Sequence, residues 1–236
     1  SYVMFELGQP MHAFDADTID VASVVVRKAK KGEKIVLLGG EEYELEPSML
    51  LITETKRAIA VAGVKGGDDS GVTDQSTSIM YEAANFEALS VRRTSTALGV
   101  RTDASTRFEK GLDPNLPELA MKRAVELTLE LCPNAKVVSN LTDIHSFEQD
   151  LGPLEISADR IRSRIGVDIS DKDMSELLTR LGFGVEQKED TLYVTIPTWR
   201  ATGDIGIPED ITEEVARSYG YKNIPTTFPA FPISPT

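Results

Sequence analysis

The 236-residue sequence contains a single cysteine, Cys132, so the chain closes no disulfide on itself. Its only histidines are His12 and His145, and with one cysteine they make no Cys/His cluster of the kind that holds a structural zinc. Long apolar runs are also missing. Val24-Val25-Val26 and Ile35 to Leu38 fall far short of the roughly 20 residues of a membrane-spanning helix. The opening Ser1-Tyr2-Val3-Met4 carries no secretory leader pattern and reads as the start of a piece of a longer chain. Positive charge is scarce: 25 Lys+Arg face 38 Asp+Glu, for a net charge of −13. This balance argues against non-specific capture of nucleic acid by bulk charge, although a local basic patch could still serve. No GxGxxG and no Gly-Lys-Ser/Thr ending is present, so a nucleotide loop is not legible. Nor is a Ser/His/Asp set, and with it any covalent intermediate.

What is present is a globular pattern, with 41% hydrophobic and 27% charged residues. The first part, 1–150, opens with strand-like runs: Ser23 to Ala29, Ile35 to Leu38 and Tyr43 to Leu45 around Gly39-Gly40, Leu50 to Thr53, Ile59 to Val64 and Ile79 to Glu82. Helices follow. Ser90 is the expected N-cap of Val91 to Leu98 with Gly99 as the stop, and Pro117 fits the first turn of a helix to Leu131. The second part, 151–224, predicts a short helix from Ser157 or Ala158 to Ile165 and a helix opened by Ser170 and Asp173. A hairpin around Lys188-Glu189-Asp190 and a last helix, Pro208 to Tyr219, complete it. The expected class is α+β: a mixed-sheet domain, then a small winged-helix-like α/β domain, then a Pro-rich linker over 225–236.

Four phrases stand out. They are Leu7-Gly8-Gln9-Pro10-Met11-His12-Ala13-Phe14-Asp15; Gly63-Val64-Lys65-Gly66-Gly67 with Ser70-Gly71-Val72; Arg101 to Pro114; and Pro197-Thr198-Trp199-Arg200 with Glu213-Glu214-Val215-Ala216-Arg217 and Tyr219-Gly220-Tyr221. In this order they resemble the beta subunits of bacterial phenylalanyl-tRNA synthetases. The resemblance implies a tRNA-editing module, which hydrolyses tyrosine mischarged onto tRNA(Phe), followed by the winged-helix-like module. It also implies a cytoplasmic enzyme of two alpha and two beta subunits. ATP would be used only by the whole enzyme, and this segment alone would not charge tRNA.

Tyrosine differs from phenylalanine by one hydroxyl, so an editing site needs a buried acceptor that the phenol satisfies and a bare ring leaves unpaired. Glu82, in Met80-Tyr81-Glu82-Ala83-Ala84, reads by itself as an outward residue of an alternating strand; the resemblance makes it the phenol acceptor. By resemblance Gly66, Thr102 and Ala104 line the pocket, where ordinary loop packing is the alternative. His12 borders it, orienting water or holding the terminal ribose, where a loop-capping histidine is the alternative. His145 has no motif around it and is left structural. Arg92, Arg93 and Arg101 lie in the densest basic stretch and are candidate tRNA contacts, or simply solvated helix arginines. Asp210, Glu213 and Glu214 share one face of the last helix, with Asp204 upstream. The resemblance makes these four a Mg²⁺ site shared with the alpha subunit, weak or empty in this segment; acidic residues complementing a helix dipole are the alternative. A winged-helix shape sometimes binds DNA, but the negative charge argues against it. A non-catalytic scaffold and tRNA-binding module is the rival to editing, and no membrane partner is expected.

Overall fold

The computed structural model of the chain describes residues 1–55 and 57–226. The linker expected over 225–236 lies, from residue 227 onward, outside the described residues. The chain divides into two compact units, Ser1–Phe147 and Glu148–Thr236.

The first unit runs α1 (Tyr2–Leu7), β1 (Met11–Asp15), β2 (Val25–Lys28), β3 (Lys34–Leu37), β4 (Glu41–Glu44), β5 (Leu50–Thr53), β6 (Ala58–Val61), β7 (Lys65–Gly66), β8 (Ile79–Ala83), α2 (Ala88–Leu98), α3 (Asp103–Phe108) and α4 (Leu116–Leu131). The class is α+β, and the expected mixed sheet narrows to antiparallel pairing throughout the described residues. A four-stranded sheet has the order β2-β5-β6-β7, while β1 pairs with β8 and β3 with β4. The central strands β5 and β6 are buried along nearly their whole length, which suits their apolar runs Leu51-Ile52 and Ala58-Ile59-Ala60-Val61. One core cluster gathers Leu37, Leu51, Val61, Val64, Val91 and Phe108; a second gathers Phe14, Ile52, Ile59 and Ala62.

Helix α2 starts two residues before the expected N-cap. Glu87 takes that place, and Ser90 lies inside the first turn. Helix α3 was not foreseen. Its six residues lack a strong helical pattern, and a capping box holds them: the Thr102 hydroxyl accepts from the Ser105 amide at 3.0 Å, and the Ser105 hydroxyl accepts from the Thr102 amide at 2.9 Å.

The second unit comprises β9 (Leu154–Ser157), α5 (Ala158–Ile165), α6 (Asp171–Arg180), β10 (Gly184–Lys188), β11 (Thr191–Thr195) and α7 (Pro208–Tyr219). Ser157 and Ser170 cap the first two helices, each accepting an amide hydrogen bond three residues on. The hairpin pairs Lys188 with Thr191, and β11 also pairs with β9 to give the order β10-β11-β9. Strand β9 is the piece that sequence patterning missed. Two helices between a first strand and a closing hairpin make the winged-helix-like arrangement, packed around Ile161, Met174, Leu178, Leu192, Ile211 and Val215.

Candidate functional site

The site grows from one tight hairpin. Strand β6 ends at Val61, Val64 donates its amide to the Val61 carbonyl, and β7 returns antiparallel with Lys65 opposite Val61 and Gly66 opposite Ala60. Gly63 turns this corner at φ +70°, and a Cβ there would stand 2.8 Å from a Val91 methyl. Ser70 closes the loop, its hydroxyl donating to the Ile59 carbonyl at 3.0 Å. The Thr102 hydroxyl donates to the Val64 carbonyl at 2.8 Å, tying the start of α3 to the same corner.

Strands β1 and β8 form the facing wall. Their register puts His12 directly opposite Glu82, so the two side chains share one face of the ribbon. Gln9 is fully buried and donates to the Ala84 carbonyl at 2.8 Å, fastening the approach to β1 onto the end of β8. The His12 ring packs edge-on to Phe14, with centroids 4.4 Å apart, and lies against Gly66: a Cβ on that glycine would stand 2.3 Å from the imidazole Cε1. Phe86 and Phe108 meet edge to face at 5.1 Å.

Between these walls lies a cavity of about 70 Å³. Of the residues expected there, Glu82, His12, Gly66 and Ala104 line it. Thr102 does not, because its hydroxyl is engaged in the cap of α3 and the bond to Val64. Phe86, Phe108 and Lys65 line it as well and were not singled out from the sequence. Lys65 and Phe108 fall inside two of the four phrases without a role of their own, and nothing local distinguishes a core phenylalanine from a pocket wall. The cavity is smaller than the ~150 Å³ of an apolar void that takes up benzene, so a six-membered ring enters only if a wall side chain moves. The His12 ring over Gly66 stands in its way.

The electrostatics of the pair are unusual. Burial pushes the Glu82 carboxyl up to about 7, with no opposing partner. Burial also lowers His12, whose Nε2 is buried without a hydrogen bond. Near neutral pH the imidazole is uncharged and the carboxyl is poised between its two forms. Such a pair in a cleft makes this cavity the candidate functional site.

The remaining expectations fare differently. Arg92 and Arg93 are exposed on α2, and Arg101 is exposed but gives its guanidinium to Glu109 at 2.6 Å. The four carboxylates expected to hold Mg²⁺ do not gather as a ligand set. Among the described residues no group of three His, Cys, Asp or Glu is placed to hold a metal. Glu214 is buried and bonded to Arg200 at 2.8 Å and to Arg217, while Arg200 also engages Asp204. Asp210 accepts the amides of Gly206 and Ile207 at 2.8 and 2.9 Å, at the start of α7. Of the four, Glu213 is exposed and has no such partner among the described residues. Two guanidiniums already neutralise this corner, so the donor set does not fit a divalent cation. His145 hydrogen-bonds Asp143 at 3.1 Å on the surface.

A family model described as the B3/4 domain matches residues 1–133, more than half of the chain. The chain belongs to the B3/4 domain family. The cavity lies wholly inside the B3/4 match. A second model, described as the tRNA synthetase B5 domain, matches residues 154–221. Beyond the B3/4 part, nearly the whole chain is similar to phenylalanine–tRNA ligase beta subunits. That of Solibacter usitatus is 43% identical over 235 residues, covering 99% of this chain and 31% of that protein. That of Bacillus subtilis is 42% identical over 229 residues, covering 97% of this chain and 28% of that protein. The chain thus spans about a third or less of the length of these relatives. A solved N-terminal fragment of the phenylalanyl-tRNA synthetase beta-subunit from Pyrococcus horikoshii shares the fold, with a TM-score of 0.50 at 16% identity, over 93% of this chain and 64% of that one.

Proposed function

We propose that the B3/4 unit is the proofreading module of a phenylalanyl-tRNA synthetase and hydrolyses the ester of tyrosine mischarged onto tRNA(Phe). The carrying observation is the place of Glu82, opposite His12 and lining the same cavity as Gly66 and Ala104, half-buried and in no hydrogen bond or ion pair among the described residues. A phenol that donates to Glu82 restores the hydrogen bond the carboxyl lacks. A phenylalanyl ring would bury the carboxyl and leave it bare, which costs ~1–3 kcal/mol and more for a charge. Gly66 and Ala104 leave the flanks free of side-chain bulk once the His12 ring turns aside.

The ester is already activated, so positioning one water supplies most of what the reaction needs. Water adds to the carbonyl carbon, the bond to the ribose oxygen breaks, and that oxygen takes up the proton; free tyrosine and tRNA leave. His12, neutral and with Nε2 free, holds that water or the terminal ribose hydroxyl. In this reading the chain works with an alpha subunit, in an assembly of two alpha and two beta subunits in the cytoplasm. ATP serves only the charging reaction of the whole enzyme. No step runs through Mg²⁺.

Incubating the chain with Tyr-tRNA(Phe) and Phe-tRNA(Phe) tests the proposal. The tyrosyl ester should be lost at least about tenfold faster, and Glu82→Ala should erase the difference. Equal, slow loss of both esters would leave the rival reading, a tRNA-binding scaffold without catalysis.

A further inference from the structure

Resting on that reading, we infer that Gln9 is a positioning residue for tyrosine selection: its carboxamide stands in for the backbone amide that Pro10 lacks and so holds Glu82 opposite His12 at the cavity. The β1–β8 register runs from Asp15 with Ile79, through Phe14 with Met80 and His12 with Glu82, to Met11 with Ala83. The next pair along would be Pro10 with Ala84. In an antiparallel pair every second position exchanges backbone hydrogen bonds. The Ala16 amide donates to the Ser78 carbonyl at 3.0 Å, so the bonded positions are those of Phe14, His12 and Pro10. Proline has no N–H, and its backbone cannot give the bond to the Ala84 carbonyl. The Gln9 Nε2 gives it instead, at 2.8 Å, and donates its second hydrogen to the Pro10 carbonyl at 2.9 Å. One side-chain nitrogen thereby bridges both carbonyls of the pair at which the ladder would otherwise stop.

Without that bridge, His12 and Glu82 would be the last hydrogen-bonded pair of the ribbon, at the end where strands fray; with it they lie inside. The described residues add no third strand to this ribbon. Its bridge to Gly71 leaves from Phe14, further from this end. Beyond Ala84, Asn85 donates to the Leu112 carbonyl at 2.7 Å, which ties β8 to the segment after α3 and not to β1. Packing does not account for an amide at position 9. The side chain is fully buried and its Oε1 has no hydrogen bond among the described residues, a loss that an apolar side chain of the same length would avoid. What the amide contributes is a fixed place for the phenol acceptor across from His12, with water kept from its carboxyl. The other titratable groups lining the cavity are His12 on β1 and Lys65 on β7.

The test compares the unaltered chain, Gln9→Met, and the double variant Gln9→Met with Pro10→Ala, which returns an ordinary amide at position 10. Methionine keeps the length and removes the donor. Two quantities are read: the ratio of Tyr-tRNA(Phe) to Phe-tRNA(Phe) hydrolysis, and the titration of the Glu82 carboxyl by carbon NMR. In Gln9→Met the ratio should fall about fivefold, the size of one ordinary internal hydrogen bond, through slower loss of the tyrosyl ester alone. The Glu82 midpoint should move from about 7 toward the ordinary 4.5 as water reaches the carboxyl. The double variant should recover both. A ratio that does not fall in Gln9→Met, or a double variant that does not recover it, overturns the inference. If Gln9→Met does not fold, the double variant decides alone: folded, with the ratio and midpoint of the unaltered chain, it supports the inference, and otherwise it overturns it. The two readouts separate this from the reading beneath it. If the unaltered chain prefers the tyrosyl ester and Gln9→Met prefers it as strongly, the clamp falls and the phenol acceptor stands. If the unaltered chain hydrolyses both esters alike, the editing reading falls and takes tyrosine selection by Gln9 with it, whatever the Glu82 midpoint does.

Discussion

A carboxylic acid held in an apolar cleft without a partner prefers to keep its proton, and Glu82 does so up to about pH 7. Because its folded value lies above the ordinary 4.5, its contribution is neutral in acid and becomes a cost that builds as pH rises from about 4.5 and is complete above about 7. Glu82→Gln removes that cost. The variant should match the unaltered chain in urea denaturation near pH 4 and exceed it at pH 8 by up to about 3 kcal/mol. In the proposed function the same titration would govern selection, since an ionised carboxylate accepts a phenol hydrogen bond more strongly than a carboxylic acid. The ratio of tyrosyl to phenylalanyl ester hydrolysis should climb between about pH 6 and 8 in the unaltered chain and stay flat in Glu82→Gln. Stability given up at a site and recovered on substrate binding is the expected trade-off for a recognition group. At this scale the sequence showed the glutamate but not its environment. An alternating strand says which residues share a face, not which face is covered.

Elements hold the pocket by a few bonds outside it. Thr102 was expected in the pocket and instead caps α3 while its hydroxyl reaches the Val64 carbonyl at 2.8 Å. Thr102→Ala breaks both contacts and should destabilise the chain by about 1–2 kcal/mol in urea denaturation, with Thr102→Ser close to the unaltered value. In the second unit the acidic face of α7 is built into an ion-pair network. Burial would raise Glu214, but the hydrogen bonds from Arg200 and Arg217 outweigh it and leave the carboxyl below its ordinary value. That contribution is present above the usual glutamate range and is lost as pH falls through the lowered value. Arg200→Met should cost about 2 kcal/mol or more near pH 7, measured by thermal or urea unfolding, and less in acid. The i, i+3, i+4 spacing of Asp210, Glu213 and Glu214 was legible, but spacing does not reveal the cations. Arg200 reaches Glu214 from a separate turn at 2.8 Å.

At the scale of the whole molecule, the two units have separate cores, and each B3/4 or B5 match falls within one of them. In the proposed function, net acidity means that RNA binding must come from local cations. Arg92 and Arg93, exposed on α2 and in no ion pair among the described residues, are candidates on the B3/4 unit. Glu replacing both should weaken tRNA binding several-fold at low salt, with the gap closing as salt rises. A filter-binding series with no such gap would remove α2 from the interface.

The long, periodic elements were determined by the sequence: α4, the capped helices α5 and α6, α7, and the buried strands β5 and β6 all follow from apolar spacing and end residues. So did the glycine corner, because a chain that must turn between two buried strands has few other residues to use. The tertiary structure alone decided that β1 pairs with β8 to set His12 opposite Glu82, that the imidazole covers Gly66, and that the α7 carboxylates meet arginines. The first two are contacts between segments far apart in the chain, the last joins α7 to the turn before it and to its own next turn, and local pattern carries no information on the solvent a side chain will lose.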